Sequence, residues 1–144
     1  MIPCLYASTE TKFDHNGIGK LADAQSCIVT EKRNGSFELE MVYPADGIHA
    51  EQLEEGNIIL AKPSDTGRSQ PFRIYKIATP IDGKLTVKAR HISYQLNFIT
   101  VSPFATTGCT GALAGLRNHA ASECPFEVWT DISSNASFRL SVPS

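Results

Sequence analysis

The chain has 144 residues, of which 42% are hydrophobic and 19% charged, as in a soluble globular protein. Thirteen basic and fifteen acidic residues give a formal net charge of −2. This balance argues against a dedicated nucleic-acid-binding protein, because such proteins usually carry a clear excess of basic residues. A chain of this length can bury roughly two thirds of its unfolded surface, so it needs no disulfide or metal in order to fold.

The sequence also carries no strong targeting or redox signal. It contains no run of about 18 apolar residues, and its N-terminus lacks the basic and apolar regions of a secretory signal. We therefore expect no membrane insertion and synthesis in a cytosol. The cysteines form no C-x-x-C pair, so we expect reduced thiols in or beside the core instead of a zinc or redox site. They are Cys4, Cys27, Cys109 and Cys124.

The first strong pattern in the chain is a β-hairpin. Residues 3–6 predict a short strand, the polar residues 7–20 predict a loop, and residues 25–33 and 36–43 alternate as two strands should. Asn34-Gly35 between these two strands predicts a type I′ turn, which needs positive φ at both central residues.

Glycosylation of Asn34 or Asn135, each in an Asn-X-Ser sequence, would require secretion and is not expected.

Further strands follow the hairpin at regular spacing. Residues 44–56 predict a turn and a short helical segment that ends at Gly56. Residues 57–65 predict an apolar strand buried on both faces, and residues 69–80 and 84–92 predict a second hairpin joined by Ile81-Asp82-Gly83. Five or six strands with little helix indicate a small barrel or a sandwich-like sheet.

The character of the sequence changes after Tyr94. Residues 97–109 resemble a linker, residues 109–121 predict a helix, and residues 125–130 and 137–142 predict two more strands. The helix has glycines at positions where glycine lowers helix stability by up to about 1 kcal/mol each. Close packing against a neighbouring sheet or subunit explains them best, and they are Gly108, Gly111 and Gly115. Because the chain stops at Ser144, directly after a strand, we expect it to be part of a longer protein.

A search for catalytic residues finds no convincing set. The glutamates lie on a hairpin and on a short helical segment, where a solvated face explains them: Glu31, Glu38, Glu40, Glu51, Glu54 and Glu55. The histidines show no metal-binding spacing: His15, His49, His91 and His119. A couple between His119 and Cys109 or Cys124 is conceivable, and Trp129 could stack on a sugar. We nevertheless predict no catalytic, cofactor-binding or metal-binding residues in this chain.

Three segments together resemble one protein family. They are the hairpin ending ELEMVYP, the strand QPFRIYKI and the segment ARHISYQL. In this order they are similar to the N-terminal region of siphophage minor structural or tail proteins, which include tail-associated lysins and prophage endopeptidase tail proteins. The resemblance covers essentially the whole chain, and HISY is its most specific part. The matching positions are Asn34, Gly35, Tyr43, Pro44, Pro71, Phe72, His91, Ile92, Ser93 and Tyr94, which the resemblance implies to be fold-defining and not catalytic.

The resemblance implies a mainly β fold of the baseplate-hub type. Residues 1–98 would form a β-barrel-like hub domain, and residues 99–144 the truncated start of an α+β domain. The implied role is structural, at a virion tail tip assembled in the bacterial host cytoplasm. A homotrimeric ring of the full-length protein would cap the tail tube, contact the distal tail protein and the tape-measure protein, and let DNA pass without specific binding.

Two alternatives to the structural role stay open at this point. The full-length protein could be a cell-wall-degrading tail endopeptidase or lysin, with its active residues in a later module that this chain does not contain. The chain could also be a carbohydrate-binding module that uses Trp129 and surface tyrosines. The sequence identifies neither a host nor a receptor.

Overall fold

The computed structural model describes residues 1–79 and 82–141. The chain divides into two compact units, Met1–Tyr94 (unit 1) and Gln95–Ser144 (unit 2). Unit 1 contains a curled sheet and unit 2 a small α/β arrangement, so the prediction of a mainly β protein with a smaller α+β segment near the C-terminus is confirmed.

Unit 1 is built on one seven-stranded antiparallel sheet that curls into a half-barrel. The order across the sheet is β2-β1-β5-β6-β7-β4-β3, and β2 and β3 form its two edges. Both predicted hairpins are present, because β3 pairs with β4 and β6 pairs with β7. The strands are β1 (Cys4–Tyr6), β2 (Gly19–Lys20), β3 (Ser26–Glu31), β4 (Phe37–Pro44), β5 (Ile58–Ala61), β6 (Gln70–Ala78) and β7 (Lys84–His91).

The core of unit 1 follows from the two-residue period of the strands. In β4, Leu39, Met41 and Tyr43 are buried, while Glu38 and Glu40 lie on the other face, as the alternation predicts. The prediction that β5 is buried is also confirmed, because Ile58 and Ile59 point to opposite faces and both are buried. Each large apolar side chain that is fully buried stabilises the fold by roughly 1.5–3 kcal/mol.

The first hairpin turn differs from the predicted type I′ turn. Asn34 has φ 55°, but Gly35 is not in the positive-φ region. Lys32 donates its N–H to the Ser36 carbonyl at 2.8 Å, and Gly35 donates to the Lys32 carbonyl at 2.9 Å. The loop therefore has three residues, Arg33 to Gly35, and the predicted turn is wrong because Lys32 and Ser36 extend the ladder. In the second hairpin Gly83 has φ 76°, while Pro80 and Ile81 lie outside the described residues.

One short strand of unit 1 was not apparent from the sequence, and the predicted helical segment is shorter than expected. The two-residue strand β2 lies within the predicted loop, and the helical segment is a single 3₁₀ turn at Ala50–Gln52. His49 precedes this turn with φ 66°. Its ring lies over Gly19, where an added Cβ would be 2.1 Å from His49 Nε2. Glycine at position 19 therefore lets β2 approach the His49 ring.

Unit 2 contains a two-stranded antiparallel sheet and one helix. The strands are β8 (Phe104–Thr107) and β9 (Ser137–Leu140), and α1 (Gly108–Asn118) starts directly after β8. The predicted linker at residues 97–109 is thus wrong in part, because it contains β8. A 3₁₀ helix, Ile92–Phe98, follows β7 and spans the boundary between the units.

The helix α1 ends earlier than the predicted residue 121. Ser102 donates its N–H to the His119 carbonyl at 2.9 Å, and Ala121 donates to the Thr100 carbonyl at 2.8 Å. Val101 and Ala120 form a β-bridge between these bonds. The chain leaves the helix after Asn118 because its backbone pairs with residues 100–102 instead.

The glycines of α1 are explained by close packing, as predicted. A Cβ at Gly115 would lie 2.0 Å from the Phe104 ring, and one at Gly111 would lie 2.6 Å from Thr106 Oγ1. Both neighbours belong to β8, so the helix lies directly on the small sheet. The predicted strand at residues 125–130 is wrong, because these residues have no regular secondary structure. The last predicted strand is present as β9, and its final residue, Val142, lies outside the described part.

Candidate functional site

Several residues of the family-like motifs meet at one end of β4. Phe72 and His91 are opposite each other on β6 and β7. The His91 ring stacks on Phe37, with the centroids 4.5 Å apart, and Phe72 meets both rings edge-on. We call Phe37, Phe72, His91, Ser93 and Tyr94 the aromatic cluster. It closes this end of the unit 1 core.

Hydrogen bonds hold His91 in one orientation and one tautomer. The Ser93 backbone N–H donates to Nδ1 at 3.3 Å, and Ser93 Oγ lies 2.8 Å from the same nitrogen. Nδ1 is therefore an acceptor, and the ring proton on Nε2 is donated to Gln70 Oε1 at 3.1 Å. Burial lowers the pKa of His91 below its usual value of 6.5, which favours the neutral ring that this arrangement requires.

Tyr94 fastens the segment HISY to the start of β4. Its hydroxyl oxygen accepts the Phe37 backbone N–H at 3.2 Å. The motif residues here therefore bond to backbone and to each other, and they pack this end of the sheet.

The remaining motif positions lie elsewhere in unit 1. Asn34 and Gly35 form the loop next to the aromatic cluster, and Pro71 lies opposite Leu60 of β5. At the far end of β4, Tyr43 is fully buried and its hydroxyl donates to the Ile48 carbonyl at 2.6 Å. Pro44 ends the strand opposite Lys84 of β7, and Ile92 begins the 3₁₀ helix. The structure therefore brings together only Phe72, His91, Ser93 and Tyr94.

The sequence did not indicate two contacts of His91. The alternation of residues 36–43 predicts a strand that contains Phe37, but it gives no sign that Phe37 stacks on His91. Gln70 was not singled out at all. The register of β4, β6 and β7 determines both contacts, and the sequence pattern does not specify that register.

The outer face of the sheet carries cross-strand ion pairs. Glu38 lies 3.1 Å from Arg90, and Glu40 lies 3.2 Å from Lys88. These carboxylates therefore face cations instead of facing each other across a cleft, as a glycosidase pair would. The hydrogen bond to Glu40 raises the pKa of Lys88. Exposed pairs of this kind contribute about 0–1 kcal/mol each.

A β-bulge adds aromatic side chains to this outer face. The register of β6 shifts between Ile74 and Lys76, so Tyr75 is the extra residue. The Arg90 guanidinium lies 4.3 Å from the centre of the Tyr75 ring and 5.7 Å from that of Tyr94. Tyr75 also lines a shallow depression of about 260 Å³ beside the first hairpin, together with Glu38, Glu40 and Lys88.

The conceivable cysteine–histidine couple is not assembled. His119 donates from Nδ1 to the Gly115 carbonyl at 3.0 Å and stacks on Phe104, with the centroids 4.7 Å apart. Neither Cys109 nor Cys124 is hydrogen-bonded to it within residues 1–79 and 82–141. All four cysteines are free, and burial raises the pKa of Cys27 to about 11. Among the described residues no group of three or more His, Cys, Asp or Glu side chains could hold a metal.

Unit 2 contains an apolar groove of about 330 Å³. One wall is α1, through Leu113, Leu116 and Arg117, and another is the irregular segment from Cys124 to Val128. Leu96, Ile99 and Val101 complete the lining. The groove is lined mainly by apolar side chains, so it can accommodate an apolar group.

Exposed apolar side chains surround this unit. Trp129 is 82% exposed, Phe98 87% and Ile132 61%. In the described part of unit 2, Gly115 is the one buried residue, and every buried hydrophobic side chain of the described chain belongs to unit 1. Among these side chains, tryptophan is a residue type that is enriched at protein interfaces.

Comparisons with known proteins found no relative of this chain. No family model, curated protein or solved structure matches the chain. No helix among residues 1–79 and 82–141 has the length and apolar character that crossing a membrane requires.

Proposed function

We propose that this chain is a structural part of a phage or prophage tail tip, as a baseplate-hub or tail-associated protein. Its role would be to cap the tail tube and to support tail assembly and DNA passage. The proposal includes a homotrimer of the full-length protein that contacts the distal tail protein and the tape-measure protein. It assigns the chain to the virion tail tip and assigns it no enzymatic activity.

The observation that carries this proposal is the packing of the motif residues. The motif order in the sequence resembles that of the tail proteins, and Phe72, His91 and Tyr94 meet at Phe37. Residues that hold three strands together are expected to recur within a structural family, whatever functions its other domains have. The ion-paired carboxylates Glu38 and Glu40 and the exposed apolar surface of unit 2 also favour an assembly role over catalysis.

Labelling of intact particles tests the location. Antibodies raised against the purified chain, applied to tailed phage particles whose genome encodes it, should bind at the tail tip in electron micrographs. Antibodies against a capsid protein provide the matched control. Intact tailed particles that carry no label anywhere would refute the tail-tip role.

A zymogram separates the structural role from the lytic alternative. We expect no clearing of Gram-positive cell walls by the purified chain, because its carboxylates on β4 are ion-paired with Lys88 and Arg90. A lysozyme lane provides the positive control. Clearing by residues 1–144 alone would support the endopeptidase or lysin alternative and would overturn the proposed absence of activity.

A further inference from the structure

In the described part of unit 2 the large apolar side chains are at most partly buried. Leu113 and Leu116 of α1 face a groove that is open to solvent, and Gly115 alone among the described residues of the unit is buried. Units of about 50 residues are marginal even with a well-formed core. Covering the groove would therefore stabilise unit 2.

A projecting aromatic side chain lies next to this groove in the chain. Phe126 and Val128 line the groove, whereas the neighbouring Trp129 points into solvent with 82% of its surface exposed. The backbone of residues 125–130 makes no backbone–backbone hydrogen bond to any other described residue. A large, exposed tryptophan on an unpaired segment is the type of residue that forms interface hot spots.

The charges beside the groove are complementary to each other. Arg117 lies on the helical wall and Glu127 on the opposite segment. Neither forms an ion pair with another described residue. A second copy could place its Glu127 near Arg117 of the first, so that the two opposite charges pair. This complementarity favours self-association over the binding of a strongly charged molecule.

We propose that unit 2 associates head to tail with unit 2 of a second copy, with Trp129 of one copy in the apolar groove of the next. The groove volume of about 330 Å³ exceeds that of an indole ring. Glu127 precedes Trp129 by two residues, so it would approach Arg117 of the receiving copy. In this head-to-tail arrangement Trp129 and the groove of one copy contact two different neighbours, so the contact is heterologous and builds a ring or an open chain. The contact itself does not depend on the proposed function; only its closure into a ring of three copies rests on that function.

Sedimentation of the full chain tests the projecting residue. Trp129→Ala should weaken self-association by roughly thirtyfold, as truncation of an interface hot spot does. Ile48→Ala removes an exposed apolar side chain from unit 1 and should leave association unchanged. Equal association of Trp129→Ala and the unmodified chain would overturn the proposal, and so would a chain that stays monomeric at all concentrations.

Charge variants test the groove without disturbing its packing. Arg117→Glu should weaken association, and Arg117→Glu combined with Glu127→Arg should restore it. An equimolar mixture of Trp129→Ala and Arg117→Glu should form heterodimers that do not grow, because the projection of one variant and the groove of the other remain intact. Failure of both the double variant and the mixture to recover association would refute the head-to-tail contact.

The failure of this inference differs from failure of the proposed function. A chain that labels tail tips but associates normally after Trp129→Ala overturns only the assignment of the surface. If the chain binds a glycan, and Trp129→Ala abolishes this binding without changing self-association, Trp129 serves carbohydrate recognition and the proposed contact is overturned.

Discussion

The aromatic cluster makes a quantitative prediction for His91→Ala. This change removes the stacking on Phe37 at 4.5 Å and the edge contact with Phe72 at 5.6 Å. It also removes the hydrogen bonds to Gln70 and Ser93. Ring contacts of this type stabilise by about 0.5–1.5 kcal/mol each, and neutral hydrogen bonds by about 1 kcal/mol each. We therefore expect a loss of about 3 kcal/mol in the free energy of unfolding.

Urea unfolding followed by far-UV circular dichroism measures this loss, because the seven-stranded sheet dominates that signal. The midpoint should fall while the slope with urea concentration stays constant, since the same surface is exposed on unfolding. In thermal unfolding the same loss corresponds to a decrease of about 10 °C for a chain of this size.

Ser93→Ala is the matched control for the cluster. It removes the Oγ contact to Nδ1 at 2.8 Å but leaves the rings and the Ser93 backbone N–H in place. We expect it to cost about 1 kcal/mol. If His91→Ala costs no more than Ser93→Ala, the stacked ring does not hold this end of the sheet, and the reasoning is refuted.

Three further changes test other parts of the structure. Burial lowers the pKa of His91, so its contribution to stability should be complete above about pH 6.5 and should be lost as the pH falls through the lower pKa of the folded state. The free energy of unfolding, measured at a series of pH values, should therefore depend less on pH in His91→Gln than in the unmodified chain. An equal pH dependence of the two proteins would contradict this. Gly115→Ala should destabilise α1 by about 1 kcal/mol despite the higher helix propensity of alanine, because the added Cβ would meet the Phe104 ring. Amide hydrogen exchange in α1 measures this change, and slower exchange in the variant would argue against it. Tyr43→Phe should cost about 1–2 kcal/mol by leaving the Ile48 carbonyl without its partner, and an unchanged urea midpoint would disagree with that bond.

Much of unit 1 could be predicted from local patterns. The alternation of residues 36–43 predicted the strand whose Leu39, Met41 and Tyr43 are core residues, and Asn34-Gly35 located the hairpin. The turn type could not be predicted, because the extra pairing of Lys32 with Ser36 depends on how far the ladder extends. Strand β2 was missed because two residues carry no periodicity.

In unit 2 local propensity was less reliable. Residues 125–130 have strong β-formers but no strand beside them, and a strand requires a partner for its hydrogen bonds. The helix end was misplaced because Ala121 bonds to the Thr100 backbone. The aromatic cluster was predictable only as separate motifs, since its contacts depend on which residues of β6 and β7 lie opposite each other. The apolar groove follows from tertiary packing, so no sequence signal indicated it.

The order of the strands has a consequence for the way the chain folds. The hairpins β3–β4 and β6–β7 close short loops and can form early. Strand β1 instead pairs with β5, at Tyr6 and Ile58, which closes the longest loop of any pairing in the described sheet. Strand β1 can pair early with β2, which is close to it in sequence, but its other edge stays unpaired until β5 has been synthesised. We expect a chaperone that binds nascent apolar segments to act on this strand first.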